Sequence, residues 1–113
     1  MNVREAVKDK ANYSSIVTYF KNLQTLGMTD LVLLIDVIDE MSEEIFEHYK
    51  ALQELCKREL QRIRQLYENM GTFDYLEETE KCQLAYIVKK ACSMNVVLAE
   101  KYESMAAALT RYL

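Results

Sequence analysis

Residues 30–70 read DLVLLIDVIDEMSEEIFEHYKALQELCKRELQRIRQLYENM, and the fold turns on how this run is read. The apolar positions Leu31, Leu34, Ile35, Ile38, Met41, Ile45, Tyr49, Leu52, Cys56, Leu60, Ile63, Tyr67 and Met70 step by one, three or four. On a helical wheel they fall within an arc of about 120°. Ser42 is a candidate N-cap for a second helix, but the apolar seam keeps its phase across it. The spacing therefore predicts one helix of ~40 residues, ~60 Å long.

The flanks are marked by the two glycines of the chain, Gly27 and Gly71. Leu26-Gly27 reads as a helix end with Gly27 in the left-handed cap position, and Met70-Gly71 reads as a second helix end. Thr29 then caps the long helix, and Asp74-Tyr75-Leu76-Glu77 has a capping-box pattern for the next one. Residues 2–26 and 74–112 also carry helical spacing. The seam of the latter runs through Leu84, Ile87, Ala91, Met94, Leu98, Tyr102, Met105, Leu109 and Tyr112, with no Gly or Pro to bend it. In the former, Asn12, Ser14 and Ser15 offer the backbone competing hydrogen bonds, which leaves open whether the segment is one helix or two pieces.

At 113 residues, with 50% hydrophobic and 28% charged side chains, residues 1–113 read as a single helical domain able to bury its own core. Two glycines and no proline exclude most all-β designs, which need turn residues every ~8–12 positions. The fold expected is all-α: an elongated antiparallel hairpin of two long helices with an N-terminal helix packed on it. That is a three- to four-helix bundle, one that dimerisation can complete. No signal peptide or membrane-spanning run is read. Cys56, Cys82 and Cys92 form no C-x-x-C pair and suit reduced thiols, so the expected location is cytoplasmic.

The formal charge is −4, against bulk phosphate binding. Residues 29–56 hold eight acids and one base, a net −7, which leaves +3 elsewhere. Pairing about residues 71–73 sets Glu43 opposite Lys101 and Arg64 opposite Glu80. Residues 54–90 keep only a narrow seam in this register, beyond the reach of the first helix. They should project as an arm, paired with the arm of a second copy. The contact residues expected are Leu60, Tyr67, Met70, Phe73 and Tyr75, together with Tyr86, which faces away from its seam.

Chemistry-bearing patterns are sparse. There is no phosphate loop, zinc spacing or nucleophile elbow. His48 is the one histidine, and Ile45 stands where a Glu-x-x-His di-iron motif needs its Glu. Glu40, Glu44 and His48 share one helix flank and read as a boundary histidine with carboxylates. Asp36, Glu40, Glu43, Glu47 and Glu54 form an acidic strip, a solvated face or a docking strip for a basic partner. Lys57, Arg58, Arg62 and Arg64 are the basic cluster, with Glu54–Arg58 and Arg64–Glu68 as in-helix pairs.

No catalytic, cofactor-binding or metal-ligating residue is assigned, and no cofactor. The expected function is a small non-catalytic helical interaction or regulatory protein that self-associates or binds another protein, with no membrane partner. Two alternatives stand beside it. One is a bundle binding a small molecule or metal, with Met41, Met94 and Met105 lining the interior. The other is a nucleic-acid accessory factor acting through residues 57–64.

Overall fold

The reason for each helix boundary is visible in a computed structural model that describes all 113 residues. Six α-helices form without any strand: α1 (Val3–Ala6), α2 (Tyr13–Lys21), α3 (Met28–Glu40), α4 (Phe46–Met70), α5 (Glu78–Ser93) and α6 (Glu103–Leu109). Single 3₁₀ turns occupy Lys10–Asn12, Ala99–Lys101 and Thr110–Tyr112. The all-α bundle expected from the spacing is present. The two long continuous helices are not, because each is cut once.

The first cut lies at residues 41–45. Met41 leaves the helix with ψ 138°, and Ile45 precedes α4 at φ −94°, ψ 67°. Ser42 donates its backbone N–H to the hydroxyl of Tyr13 at 2.9 Å, and its own hydroxyl accepts from the N–H of Glu44 at 3.3 Å. The backbone bonds lost at the break are thereby partly replaced. Unbroken phase did not protect the helix, since α3 and α4 turn their seams to the same core.

The second cut follows α5. Asn95 adopts φ 58°, the N–H of Asn95 bonds to the carbonyl of Cys92 at 3.2 Å, and that of Val96 to the carbonyl of Ala91 at 2.9 Å. This pair of bonds is a Schellman motif with asparagine in the left-handed seat. Val96, just past it, is buried, as the motif's hydrophobic contact requires.

Other ends are local matters. Gly71 takes φ 73° and closes α4, as expected. Gly27 does not: at φ −78°, ψ 176° it is extended and precedes α3 as its N-cap, with its N–H donated to Asp30 Oδ2 at 3.1 Å. The start of α5 falls three residues later than the Asp74 box predicts. Glu80 Oε1 accepts from the N–H of Glu77 there, at 3.1 Å. The N-terminal segment breaks before Tyr13. Asp9 caps the Lys10–Asn12 turn, and the Asn12 side chain donates to the carbonyl of Ala6 at 3.0 Å.

Packing follows from the two reversals. The helix α3 lies centrally against α1, α4 and α5, while α2 covers α4 and α6 folds back on α5. Contacts Thr29–Gln83, Asp36–Tyr86, Asp36–Lys90 and Asp39–Lys90 advance together along both helices, so α3 and α5 run parallel. That arrangement replaces the simple antiparallel hairpin. Neither expected cross-hairpin pair forms: Arg64 bonds to the carbonyl of Lys101, and Glu80 caps α5. The molecule measures 42 × 25 × 22 Å, too short for a ~60 Å helix.

One core of 28 buried residues results, with no polar or charged residue among them. The accessible surface, 6777 Å², is close to the ~6,400 Å² of a compact monomer of this mass. No helix is long and apolar enough to cross a membrane.

Candidate functional site

The arm expected at residues 54–90 is sealed by its own chain. Cys56, Leu60, Ile63, Leu84 and Ile87 are all buried: α2 and α3 pack on α4, while α3 and the folded-back α6 pack on α5. Leu60 (0% exposed) and Phe73 (6%) therefore present nothing to a partner, and both assignments are corrected. At the arm end, Tyr67 stacks on Phe73 with ring centroids 4.4 Å apart. Lys81 lies 5.6 Å from the ring centroid of Tyr112, so the C-terminal turn reaches the α4–α5 corner. Met70 and Tyr75 stay exposed there.

Tyr86 is partly exposed, yet its hydroxyl is committed within the chain. It donates to Asp36 Oδ1 in a short hydrogen bond and accepts from Lys90 Nζ at 2.9 Å. Asp36 also accepts from Arg4 at 2.8 Å and from Lys90 at 3.0 Å, and Lys90 reaches Asp39 at 3.1 Å. Burial alone would push the Asp36 carboxyl up. Hydrogen bonds from Tyr86, Arg4 and Lys90 outweigh it and hold the group below its ordinary value. Lys90 is moved the other way: burial opposes its charge, but Tyr86, Asp36 and Asp39 raise it well above the usual lysine value. This hub joins α1, α3 and α5, and each charge in it already has a partner.

The acidic strip does not survive the first cut. Asp36 sits in the hub, Glu40 ends α3, Glu43 lies in the break, and Glu47 and Glu54 belong to α4. The flank shared by Glu40, Glu44 and His48 is lost for the same reason. Glu44 instead pairs with Lys10 at 2.6 Å. His48 is half-buried, with Nδ1 shielded and unbonded. No three His, Cys, Asp or Glu side chains gather as a metal ion needs. The three cysteines are unpaired, and burial pushes the Cys56 thiol up to about 12. Arg64 Nε lies 3.8 Å from Glu68, and Arg62 pairs with Glu59 at 3.1 Å. No Glu54–Arg58 pair forms.

Among the concave surfaces of the molecule, two gather distinctive side chains. The larger, about 360 Å³, lies between α5 and α6. Val88 and Leu109 form its buried floor, and Ala85, Cys92 and Ala106 keep its walls low. Lys89 and Glu103 stand exposed on its rim, on opposite helices, and neither makes an ion pair within 4.0 Å. The sequence reading missed this groove, since only the second cut lays α6 beside α5. The smaller surface, about 140 Å³, lies between α4 and residues 95–102. Lys57, Arg64 and Lys101 line it without a carboxylate. Its basic α4 residues were visible as a cluster in the sequence, whereas Lys101 comes from 37 residues beyond Arg64. Compared with known proteins, the chain matches no family model, no curated protein and no solved structure.

Proposed function

We propose that this is a non-catalytic helical interaction protein, and that its working contact is with a second copy through the α5–α6 groove. The observation that carries the reading is the apolar groove with unpaired, oppositely charged rims. Small wall residues let a facing helix approach closely. In a two-fold contact the same patch serves both copies. Lys89 of each copy then faces Glu103 of the other, so the rims fix the register of an otherwise unspecific apolar contact. The arm-to-arm pairing expected from the sequence has lost its basis, since the arm seam is buried within one chain.

Sedimentation equilibrium tests the reading. Wild type should dimerise at micromolar concentrations. Lys89→Glu or Glu103→Lys alone should weaken the dimer by about tenfold or more through like-charge contact. The double exchange should restore it. A wild type that stays monomeric up to millimolar concentration, or single variants that dimerise unchanged, overturns the proposal.

A further inference from the structure

The smaller pocket carries a second reading, independent of the dimer. Lys57, Gln61 and Arg64 stand at i, i+4 and i+7, one stripe of α4. The turn at Asn95 swings the following segment across this stripe and sets Lys101 and Leu98 on the opposite wall. Arg64 is held rather than free. One terminal nitrogen donates to the carbonyl of Lys101 at 2.9 Å, and the guanidinium lies 5.2 Å from the Tyr102 ring centroid. Its Nε is shielded from solvent and makes no hydrogen bond.

The pocket thus gathers three cationic side chains and the Gln61 amide. Lys57 and Lys101 have no ion-pair partner, and no carboxylate lines the wall. Arg64 lies 3.8 Å from Glu68, which does not line the pocket, but the two lysines have no counter-charge, and an anion relieves the repulsion among the three cations. A guanidinium held in place and flanked by two unpaired lysines carries enough positive charge for a dianion, where a single carboxylate would neutralise only one of them. Size narrows the choice further. About 140 Å³ is close to a cavity of about 150 Å³ that accepts a six-carbon ring. It holds a phosphate group but not a nucleotide. Leu98 is 57% exposed at the rim, an apolar rest for whatever the phosphate is attached to. A long polyanion would meet the acidic remainder of a chain whose charge is −4.

We infer that this pocket binds the phosphate group of a small phosphomonoester, with the apolar part of the ester lying over Leu98. An NMR titration of the full chain with phenyl phosphate, inorganic phosphate and a single-stranded oligonucleotide tests it. Phenyl phosphate should shift the amides of residues 57–64 and 95–102, and inorganic phosphate should shift the same amides at least fivefold more weakly. Lys57→Ala and Lys101→Ala, both at exposed positions, should each weaken binding by about fivefold without lowering the melting temperature. Arg64→Lys keeps the charge but loses the anchored guanidinium, and should weaken binding as well. Shifts that are absent at 20 mM or so, or scattered away from the pocket, or indifferent to the lysine variants, overturn the site. Inorganic phosphate binding as tightly as phenyl phosphate overturns the ester assignment. Tighter binding of the oligonucleotide through the same amides overturns the small-molecule assignment.

Discussion

The chain is turned back twice, and the two turns are built differently. At 94–98 the turn is local: Asn95 accepts a left-handed backbone, and the bonds that close it lie within six residues. At 41–45 the turn depends on a distant group, the Tyr13 hydroxyl, 29 residues away from the Ser42 N–H that it receives. Both turns accomplish the same thing. They fold an outlying segment over the α4 seam, which a straight hairpin would leave open. A local device can be read from a few residues, whereas a borrowed acceptor exists only after the chain has collapsed.

The largest effect should come from the surface that both turns seal. Leu60 lies at its centre, fully buried. Leu60→Glu places a charge there with no partner, at a cost above about 4 kcal/mol out of a total near 5–15 kcal/mol. Circular dichroism and thermal melting should show a largely unfolded or strongly destabilised chain. A variant that keeps its helix content and melting temperature would mean that the seam is open and the turns do not close it.

The local turn is tested next. Asn95→Val forces a β-branched residue to positive φ, which costs about 2 kcal/mol. Asn95→Gly removes that strain and should leave stability within a few tenths of a kcal/mol. Equal melting of the two variants would show that the left-handed seat does not set the turn.

The borrowed acceptor is expected to matter somewhat less. Tyr13→Phe keeps the buried ring and deletes only the oxygen, leaving the half-buried Ser42 N–H unpaired, at about 1–2 kcal/mol. The Ser42 amide should also lose hydrogen-exchange protection while that of Val96 keeps it. If both amides are unmoved, burial of Met41 alone holds the first turn.

The contrast also explains what the sequence disclosed. Helical spacing and the helix end at Gly71 were legible because each is decided within a turn or two of chain, whereas the residues around Asn12 signalled competing bonds without settling whether the helix breaks. Asn95 carried a readable signal as well. The segment lacks Gly and Pro, but asparagine is the other residue that tolerates the left-handed region. The 41–45 break had no such signal, because steady phase says which face is buried and not whether the axis continues. The same limit governs the site. Arg64 was visible within a basic cluster, yet its pairing with Lys101 and the groove beside α6 arise only from the second turn.

The smallest effect distinguishes the turns by pH. Asp36 clamps α1 and α5 onto α3, on the side of the first turn, and hydrogen bonds hold its carboxyl below its ordinary value of 3.8. In the window between the folded and unfolded values the unfolded chain binds more protons. The contribution is therefore present above about pH 4 and is lost as pH falls through the lower, folded value. Lys90 runs opposite in sign, its share being full below 10.5 and lost only as pH climbs through its raised value. Glu44, lowered by its hydrogen bond from Lys10, adds to the acid slope. The difference between wild type and Asp36→Asn isolates the hub from it. The wild type should be more stable by about 1 kcal/mol or less at pH 6, and the two melting curves should converge as pH falls through the lowered Asp36 value. Protection should fall first in α1 and at Ser42, whereas the uncharged Asn95 turn should keep its exchange behaviour down to the same pH. Acid lability appearing first at Asn95 would place the pH-sensitive contact on the wrong turn.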